Sequence, residues 1–376
     1  MRSARIAIVG AGLAGLYAAY LLERQGIHDY LLFEARPRPG GRILCAPAPA
    51  IASAPDCAGR HDLGPAWFWP DVQPELDRVI RELGLTRYAQ QEAGAVMVER
   101  SPDEAPVRMR GYAGQPASMR LAGGMEALTG ALLRQLDAAR VLTGLSVRGL
   151  DAGGPRVRID SVAAGGAGAA HDAEQVLLAV PPRLAESRIA FTPVLPPALA
   201  RQWRATATWM APHAKYVAVY DSPFWLEQGL SGEARSARGP LGEIHDASVP
   251  GGAAALFGFF GVPAAARASV GQDRLLALCR AQMQRLFGPQ AAAPRQEFIK
   301  DWAQDACTAT GADRSAPAAG HAIAPAAEAD SGPWAGRMRG IASEWAPTYP
   351  GYLAGAIEAA TLGVRALGPV EKRRTA

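Results

Sequence analysis

The stretch that decides the fold is RIAIVGAGLAGLYAAYLLERQG, residues 5–26 of a chain of 376 residues. Its β-branched run at 5–9 predicts a strand, its glycines at 10–15 predict a tight turn, and the apolar spacing of 16–25 predicts a helix. A second apolar run at 30–33 predicts another strand. Because crossover connections between parallel strands are right-handed, this order predicts a βαβ unit that opens a doubly wound sheet.

The glycines of this turn follow the spacing G-x-G-x-x-G at Gly10, Gly12 and Gly15. The first glycine allows the tight turn, the second lets the backbone approach a pyrophosphate, and the third lets helix and strand pack closely. Glu34 follows Gly15 by nineteen residues, at the end of the second predicted strand, where a carboxylate accepts hydrogen bonds from ribose hydroxyls. The sequence therefore predicts a dinucleotide site, which this pattern alone does not assign to FAD or to NAD.

The composition is that of a folded globular chain and gives no sign of a nucleic-acid partner. Hydrophobic residues make up 49% and charged residues 20%, and the formal net charge is +4. The densest basic run, residues 372–374, is interpreted as a solvated tail. The four cysteines show no C-x-x-C spacing, and no two of the six histidines lie three to five residues apart. We therefore predict reduced thiols and no metal site.

Two apolar stretches are similar to targeting or membrane segments. Residues 6–22 follow a basic start, as in a signal peptide, but cleavage there would remove the glycine turn. Residues 247–266 are uncharged but contain Pro250, Pro263 and four glycines, which suit a turn leading into a buried strand. These features predict a soluble cytoplasmic protein with no membrane partner.

The residues after the second predicted strand point to the cofactor through a resemblance. EARPRPGGR at 34–42 resembles the E-A-R-x-x-x-G-G-R segment of the flavin-containing amine oxidases, the monoamine oxidase superfamily. The resemblance implies FAD, with the backbone of Gly41 close to the flavin. It also implies that Arg36 and Arg42 lie beside the phosphates and the ribityl chain.

Further segments similar to that family follow in order and extend over nearly the whole chain. They are DLGPAW at 62–67, RLAGGM at 120–125, LAVPP at 178–182, the lysine-bearing strand at 213–225, Asp301-Trp302, and the C-terminal FAD motif at 343–358. The resemblance implies an α/β protein with a doubly wound, Rossmann-like FAD-binding domain and a discontinuous α+β substrate domain. We expect the FAD-binding domain to comprise residues 1–70, 120–195 and 302–376, and the substrate domain to comprise residues 71–119 and 196–301.

The same resemblance implies roles for single residues. Lys215 would hold a water at the flavin and help dioxygen react. Tyr352 would face the reacting side of the flavin. Trp302 occupies the family's aromatic position before the flavin site. Glu344 joins the cofactor-binding residues. Cys307 lies too close to Trp302 to be the cysteine of the family's covalent flavin link, so we expect FAD to be bound non-covalently.

Two positions depart from the family's pattern. Ala342 stands where the family has a glycine, at a point of close backbone approach. One of the two tyrosines that face each other in front of the flavin is also missing, which leaves Tyr352 alone. The alternatives for its partner are Trp67, Trp69, Trp345 and Tyr349.

The resemblance implies oxidation of a small-molecule amine to an imine, which hydrolyses to an aldehyde or ketone while dioxygen is reduced to hydrogen peroxide. Amino-acid oxidases of the superfamily carry an arginine after D-L-G, where residues 66–69 of this chain contain no cation, so we expect an amine without a carboxylate. Two alternatives stay open: a desaturase or porphyrinogen-type oxidase acting on an apolar substrate, and a catalytically quiet FAD-binding protein, which the alanine at 342 favours. A homodimer also stays open.

Overall fold

The computed structural model of the protein describes residues 2–46, 60–315 and 323–367. The chain forms two compact units that are described separately below. The first comprises Met1–Arg42, Thr129–Trp209 and Ala319–Ala376, and the second comprises Ile43–Leu128 and Met210–Ala318.

The described residues form both strands and helices. The strands are β1 (Arg2–Val9), β2 (Tyr30–Phe33), β3 (Cys45–Ala46), β4 (His61–Asp62), β5 (Arg87–Ala89), β6 (Ala95–Glu99), β7 (Val107–Arg110), β8 (Met119–Leu121), β9 (Val141–Leu142), β10 (Leu145–Asp151), β11 (Val157–Ala163), β12 (Gly168–Leu178), β13 (Ala190–Thr192), β14 (Ala214–Tyr220), β15 (Leu230–Ser236), β16 (Leu241–Asp246), β17 (Ala254–Phe260), β18 (Gln296–Asp301) and β19 (Met338–Gly340). The α-helices are α1 (Leu13–Arg24), α2 (Pro74–Glu82), α3 (Glu126–Leu133), α4 (Pro182–Arg188), α5 (Pro197–Ala205), α6 (Phe224–Glu227), α7 (Ala264–Ala268), α8 (Gln272–Phe287), α9 (Gly311–Ser315) and α10 (Leu353–Ala366). Short 3₁₀ helices cover Ala138–Arg140, Pro289–Ala292, Trp302–Gln304 and Ser343–Trp345.

The first unit is built on a sheet with a parallel centre. Its strand order is β13-β10-β11-β12-β1-β2-β9, and β19 also pairs with β12. β1 pairs in parallel with both β2 and β12, and α1 connects β1 to β2. Ile6, Ala7 and Ile8 of β1 are completely buried, as expected for a central strand covered on both faces. The Rossmann-like βαβ opening predicted from residues 5–33 is confirmed.

The second unit contains a seven-stranded sheet in the order β18-β14-β17-β16-β15-β6-β7. β14 pairs antiparallel with β17 and β18, and all of its residues are buried. Tyr216 and Ala218 belong to the apolar cluster that includes α8. Because side chains alternate along a strand, Lys215 and Val217 lie on the opposite face, where Val217 joins Phe257 in a second cluster.

Three local predictions are borne out by the structure in most of their length, with one correction. The apolar spacing of residues 74–85 and of residues 273–287 predicts two helices, the second of them capped by Asp273. The first is α2, and the uncharged stretch at 247–266 contains the buried strand β17. The predicted helix at 273–287 is α8, but its N-cap is Gly271 and not Asp273. Asp273 lies within the first turn of α8, where its charge complements the positive end of the helix dipole.

The boundaries of the two compact units differ from the predicted domain boundaries. Residues 43–46 and 60–70 cluster with the second unit because β3 pairs with β4 and Phe68 pairs with Met119. Residues 196–209 cluster with the first unit, where Trp203 of α5 is part of the apolar core. The assignment of a cofactor role and a substrate role to the two domains stays a prediction.

Within residues 2–46, 60–315 and 323–367, no helix has both the length and the apolar character needed to cross a membrane.

Candidate active site

Two of the three glycines in the turn between β1 and α1 are required by the packing of the first unit. Gly10 has φ +104°, and a Cβ there would lie 3.0 Å from the carbonyl oxygen of Ala179. A Cβ on Gly15 would lie 1.9 Å from the carbonyl oxygen of Gly10. A larger residue at position 10 would clash with the segment that follows β12, and one at position 15 would push α1 away from the turn.

Gly12 is different, because the described part of the protein does not require a glycine there. Its φ is −73°, and a Cβ would meet only the Cα of Gly41, at 3.8 Å. The added atom would otherwise point into open space at the N-terminus of α1, where free N–H groups and the helix dipole favour an anion. The turn therefore has the form of a pyrophosphate cradle, in which a side chain at position 12 would fill the anion's place.

Glu34, at the end of β2, is buried and held beside this turn. Its Oε2 accepts a hydrogen bond of 2.9 Å from the backbone N–H of Ala11, and its Oε1 accepts one of 2.8 Å from the N–H of Arg36. The Arg36 guanidinium lies 3.9 Å from Oε1. The carboxylate is thus oriented at the edge of the glycine turn, which fits the predicted contact with ribose hydroxyls.

The structure brings together two predicted cofactor-binding residues from opposite ends of the chain. Arg42 donates two hydrogen bonds to Glu344, of 2.5 Å to Oε1 and 3.0 Å to Oε2. Arg42 also donates to the Ser343 hydroxyl and to the carbonyl oxygen of Trp209. Since Glu344 is only 3% exposed, this bidentate pair fixes the direction of the guanidinium.

Ala342 is accommodated without backbone strain. Its φ and ψ are −66° and 163°, an extended conformation open to any residue, and its side chain is buried. The glycine of the family's pattern is therefore not needed for the backbone conformation at this position.

Lys215 is a buried basic residue of the second unit, with only 1% of its surface exposed. Its Nζ donates to the carbonyl oxygen of Gly64 at 3.1 Å and lies 3.9 Å from the centre of the Phe257 ring and 5.4 Å from that of Phe259. Burial lowers the pKa of Lys215 to about 7, the charge of Asp62 acts in the opposite direction, and the charge of Arg120 adds to the lowering. An ammonium so placed exchanges protons near neutral pH.

Trp302 contacts the same segment as Lys215. Its indole Nε1 donates a hydrogen bond of 3.0 Å to the carbonyl oxygen of Leu63, and the residue is 1% exposed. The ammonium of Lys300 lies 4.5 Å from the centre of the Trp302 ring. The D-L-G segment is therefore anchored by both predicted residues of the second unit, and a role of Trp302 beside the flavin stays a prediction.

Tyr352 lies at the N-terminus of α10 in the first unit and is half-buried. Gly351 before it has φ +83°, and its N–H donates to the carbonyl oxygen of Ser343 at 3.0 Å. A Cβ on Gly355 would lie 1.9 Å from the carbonyl oxygen of Tyr349. These contacts fix Tyr352 beside the Ser343–Trp345 turn that carries Glu344.

Among the four alternatives for a partner of Tyr352, Trp345 is used for packing. It is 3% exposed, and its ring lies 5.2 Å from that of Trp203 within the core of the first unit. Trp67 is half-buried in the second unit and donates to Gln90 Oε1 at 2.7 Å.

Sequence reasoning missed an aromatic group on the face of the second sheet that carries Lys215. Trp67 lies 4.8 Å from His245 and 5.3 Å from Phe257, measured between ring centres, and Phe257 lies 5.4 Å from Phe259. In register, Lys215 pairs with Phe259, so the lysine and the rings share one face. The signal was the two-residue spacing of Phe257 and Phe259 in an apolar strand.

Three buried polar groups near Lys215 carry atoms without a hydrogen-bond partner among the described residues: His61 Nε2, Asp62 Oδ2 and Arg120 Nε. His61 is fully buried, and its Nδ1 contacts the carbonyl oxygen of Ala247 at 3.1 Å. A carbonyl only accepts, so Nδ1 carries the proton and Nε2 holds a lone pair. Burial and the charge of Arg120 lower the pKa of His61 to about 4.

The low pKa of His61 predicts that the free energy of unfolding decreases at acidic pH. A folded pKa of about 4 against an ordinary 6.5 means that the unfolded state binds the proton more tightly. The stabilising contribution is therefore complete above pH 6.5 and falls by about 3 kcal/mol as the pH drops through 4. His61→Asn keeps a donor for Ala247 and cannot titrate. Between pH 7.5 and 4.5, urea unfolding should show the wild type losing about 2 kcal/mol more than this variant, and equal losses would contradict the assignment.

Comparisons with known proteins agree with this geometry. The family model "Flavin containing amine oxidoreductase" matches residues 101–367, and the model "NAD(P)-binding Rossmann-like domain" matches residues 8–83. The candidate flavin-containing monoamine oxidase A of Dictyostelium discoideum is 27% identical over 252 residues, which are 64% of this chain and 51% of that protein. The chain thus spans about half the length of that relative.

Two further comparisons extend over nearly the whole chain. The candidate flavin-containing monoamine oxidase AofH of Mycobacterium tuberculosis is 26% identical, with 94% of each chain covered. A putrescine oxidase variant, solved in a study of redesigned cofactor binding, superimposes with a TM-score of 0.77 at 20% identity, covering 97% of this chain and 99% of that one. The structural match concerns the fold, while the family model covers most of the sequence. The chain belongs to the family of flavin containing amine oxidoreductases.

Proposed function

We propose that the protein oxidises a small amine that carries no carboxylate, using non-covalently bound FAD and dioxygen. The observation that carries the proposal is Lys215, a buried lysine that lies against the rings of Phe257 and Phe259 in a chain of this family. When bound, the flavin accepts a hydride from the carbon next to the amine nitrogen, so that the product imine hydrolyses to an aldehyde or ketone and dioxygen becomes hydrogen peroxide.

The residues of the first unit fit FAD. The turn of Gly10, Gly12 and Gly15 would hold the pyrophosphate at the N-terminus of α1, and Glu34 would bind ribose hydroxyls. The remaining contacts predicted for the phosphates, the ribityl chain and the flavin belong to Arg36, Gly41, Arg42 and Glu344. Of these, Glu344 would act mainly by holding the Arg42 guanidinium in place.

The aromatic group of the second unit suits a neutral amine. Trp67, His245 and Phe259 are half-buried on the face that carries Lys215. An apolar pocket favours the unprotonated amine, because burial penalises the cation, and only the unprotonated nitrogen can release a hydride from its neighbouring carbon. The putrescine oxidase of similar fold acts on an amine of this kind, which supports the substrate class.

Lys215 would act after the amine is oxidised. A positive charge near dioxygen stabilises the negative charge that develops as oxygen takes up an electron. The hydrogen bond from Nζ to Gly64 and the contact of Nζ with the Phe257 ring hold the ammonium in one position.

The test is an anaerobic panel of amines with flavin absorbance as the readout. We expect primary or secondary amines without a carboxylate to bleach the flavin, and admission of oxygen to restore the colour with formation of hydrogen peroxide. Bleaching by apolar compounds without an amine nitrogen would favour the desaturase or porphyrinogen-type alternative. A flavin that no compound reduces would favour the catalytically quiet FAD-binding protein.

The mode of cofactor attachment gives a separate prediction. We expect the purified protein to be yellow and to release intact FAD into the supernatant after acid or heat precipitation, because Cys307 lies only five residues after Trp302 and forms no part of the described cofactor-binding turns. Chromatography of the supernatant identifies the flavin. Colour that stays with the precipitated polypeptide would show a covalent link.

The expected place of Tyr352 in front of the flavin predicts that its loss slows flavin reduction more than it destabilises the fold. Its ring is expected to steer the amine and exclude water, so Tyr352→Phe should leave flavin reduction nearly unchanged. Tyr352→Ala should slow reduction by roughly tenfold or more while FAD content and melting temperature change little. Anaerobic stopped flow measures the rates. A Tyr352→Ala protein that keeps its FAD and is reduced at the wild-type rate would remove this residue from the site.

A further inference from the structure

The segment that binds Lys215 also carries a buried carboxyl group, Asp62. The two residues are linked through this segment, since the Lys215 ammonium donates to Gly64, two positions after Asp62, at 3.1 Å. Asp62 is 3% exposed. Its Oδ1 accepts hydrogen bonds from the Met125 N–H at 2.7 Å and from the Cys45 thiol at 3.2 Å. The carboxyl group therefore has one fixed orientation, two residues before the glycine that binds the lysine.

The second carboxylate oxygen, Oδ2, distinguishes Asp62 from an acid that only anchors the backbone. Oδ2 is buried and has no hydrogen-bond partner among the described residues. A purely structural acid would be expected to use both oxygens, because an unpaired buried polar atom costs free energy. Burial raises the pKa of Asp62, and the charges of Arg120 and Lys215 act in the opposite direction, which favours the carboxylate. The Nε of Arg120 also lacks a partner in the described part of the chain.

We propose that Asp62 is a positioning residue for Lys215, supplying the buried negative charge that lets this lysine carry a proton at neutral pH. The D-L-G segment would then have two tasks, since its backbone orients the ammonium and its first side chain sets the ammonium's charge. The consequence for oxygen chemistry rests on the proposed function, whereas the charge relation itself does not.

The other titratable groups around Lys215 do not supply this negative charge. Cys45 keeps its proton, because burial and the charge of Asp62 raise the pKa of its thiol. His61 is neutral above about pH 4 and contributes no positive charge at pH 7. Arg120 opposes protonation of the lysine. Lys300 pairs with Lys215 in register on β18, but its ammonium is bound to Asp305 at 3.0 Å. Asp62 is thus the acidic group whose charge raises the proton affinity of Lys215.

The sequence makes a direct measurement practical, because the chain contains only three lysines, Lys215, Lys300 and Lys372. Lysine labelled with ¹³C at Cε gives three NMR signals in the purified holoenzyme, and Lys215→Met identifies the one that belongs to Lys215. A pH titration then reports the protonation of Lys215, with the other two signals as internal references.

In the wild type, we expect the Lys215 signal to titrate near pH 7. Asp62→Asn keeps an acceptor for the Met125 N–H and removes the charge, so the midpoint should fall by at least about one pH unit. Asp71→Asn, an exposed aspartate of the same unit, is the matched control and should leave the midpoint unchanged. A midpoint in Asp62→Asn equal to that of the wild type would overturn the proposal, as would a wild-type Lys215 that stays neutral from pH 9 to pH 5.

A second variant covers the case in which Asp62→Asn does not fold. Asp62→Ser removes the charge from a smaller side chain and keeps a hydroxyl acceptor for the Met125 N–H. The midpoint should fall, as it does in Asp62→Asn, because the negative charge is lost in both variants. A midpoint in Asp62→Ser equal to that of the wild type would overturn the proposal.

The pH profile of flavin reoxidation separates this inference from the proposed function. If both hold, the pH range over which oxygen reacts fast should shift downward in Asp62→Asn by the same amount as the NMR midpoint. A shifted midpoint with an unshifted reoxidation profile would keep the charge relation and remove Lys215 from oxygen activation.

Discussion

Gly12→Val should give a folded protein that binds no FAD. The valine side chain would extend from the N-terminus of α1 into the open space beside Gly41, where the pyrophosphate is expected to lie. Backbone strain is not the cause, because Gly12 has a φ of −73° that valine also adopts. We expect the absorbance of the purified variant near the flavin bands to vanish and calorimetry with added FAD to show no binding. Circular dichroism should match that of the apoprotein.

The matched control is the third glycine of the same turn. A Cβ on Gly15 would lie 1.9 Å from the carbonyl oxygen of Gly10, so Gly15→Val should disturb the contact between α1 and the sheet and lower the melting temperature. Gly12→Val should not. If Gly12→Val still binds FAD at the wild-type affinity, the glycine turn is a packing feature and the cofactor assignment of this turn is wrong.

Lys215→Met should slow the reaction of the reduced flavin with oxygen by about 10²-fold, which is typical for the loss of one group that stabilises a developing charge. Reduction of the flavin by the amine should change much less, because the hydride leaves the substrate before oxygen reacts. Methionine is similar in length to lysine and keeps the contacts with Phe257 and Phe259. Stopped flow measures the two half-reactions separately.

Lys300→Met is the control for this experiment. Lys300 pairs with Lys215 across β14 and β18, and its ammonium contacts the Trp302 ring and Asp305. It tests whether any lysine in this part of the sheet accelerates reoxidation. Equal reoxidation rates in the wild type and Lys215→Met would exclude the proposed role, whatever the control shows.

The local parts of the fold could be predicted from the sequence because their causes are local. The glycine spacing at 10–15 and the apolar runs on either side specify a strand, a turn and a helix, and β1, α1 and β2 lie where these patterns predict them. The cap of α8 could not be placed in this way. Asp273 is a favourable capping residue by type, but the helix begins one residue earlier, at Gln272, and leaves Asp273 inside the first turn.

Residues of the candidate site could be predicted from the sequence only where they occupy a position of a known motif. Glu34 and Lys215 were found in this way, and both are buried and hydrogen-bonded. The pairing of Arg42 with Glu344 could not be predicted from spacing, because the two residues lie 302 positions apart. The aromatic group around Phe257 was missed because an apolar strand with alternating large side chains has the same pattern whether its rings line a site or fill a core.

The composition of the first unit from three segments has a consequence for biosynthesis. β1 and the glycine turn are translated before β12, which lies beside β1, and well before the short strand β19, which lies beside β12. Glu344, which holds Arg42, follows later still. Domains generally fold as units during synthesis, so the segment that contains β1 has only β2 as a strand partner until β12 has been translated. The unit is complete only after β19 has been translated as well. Molecular chaperones are therefore expected to bind this segment during translation, and flavin loading is expected to be a post-translational event.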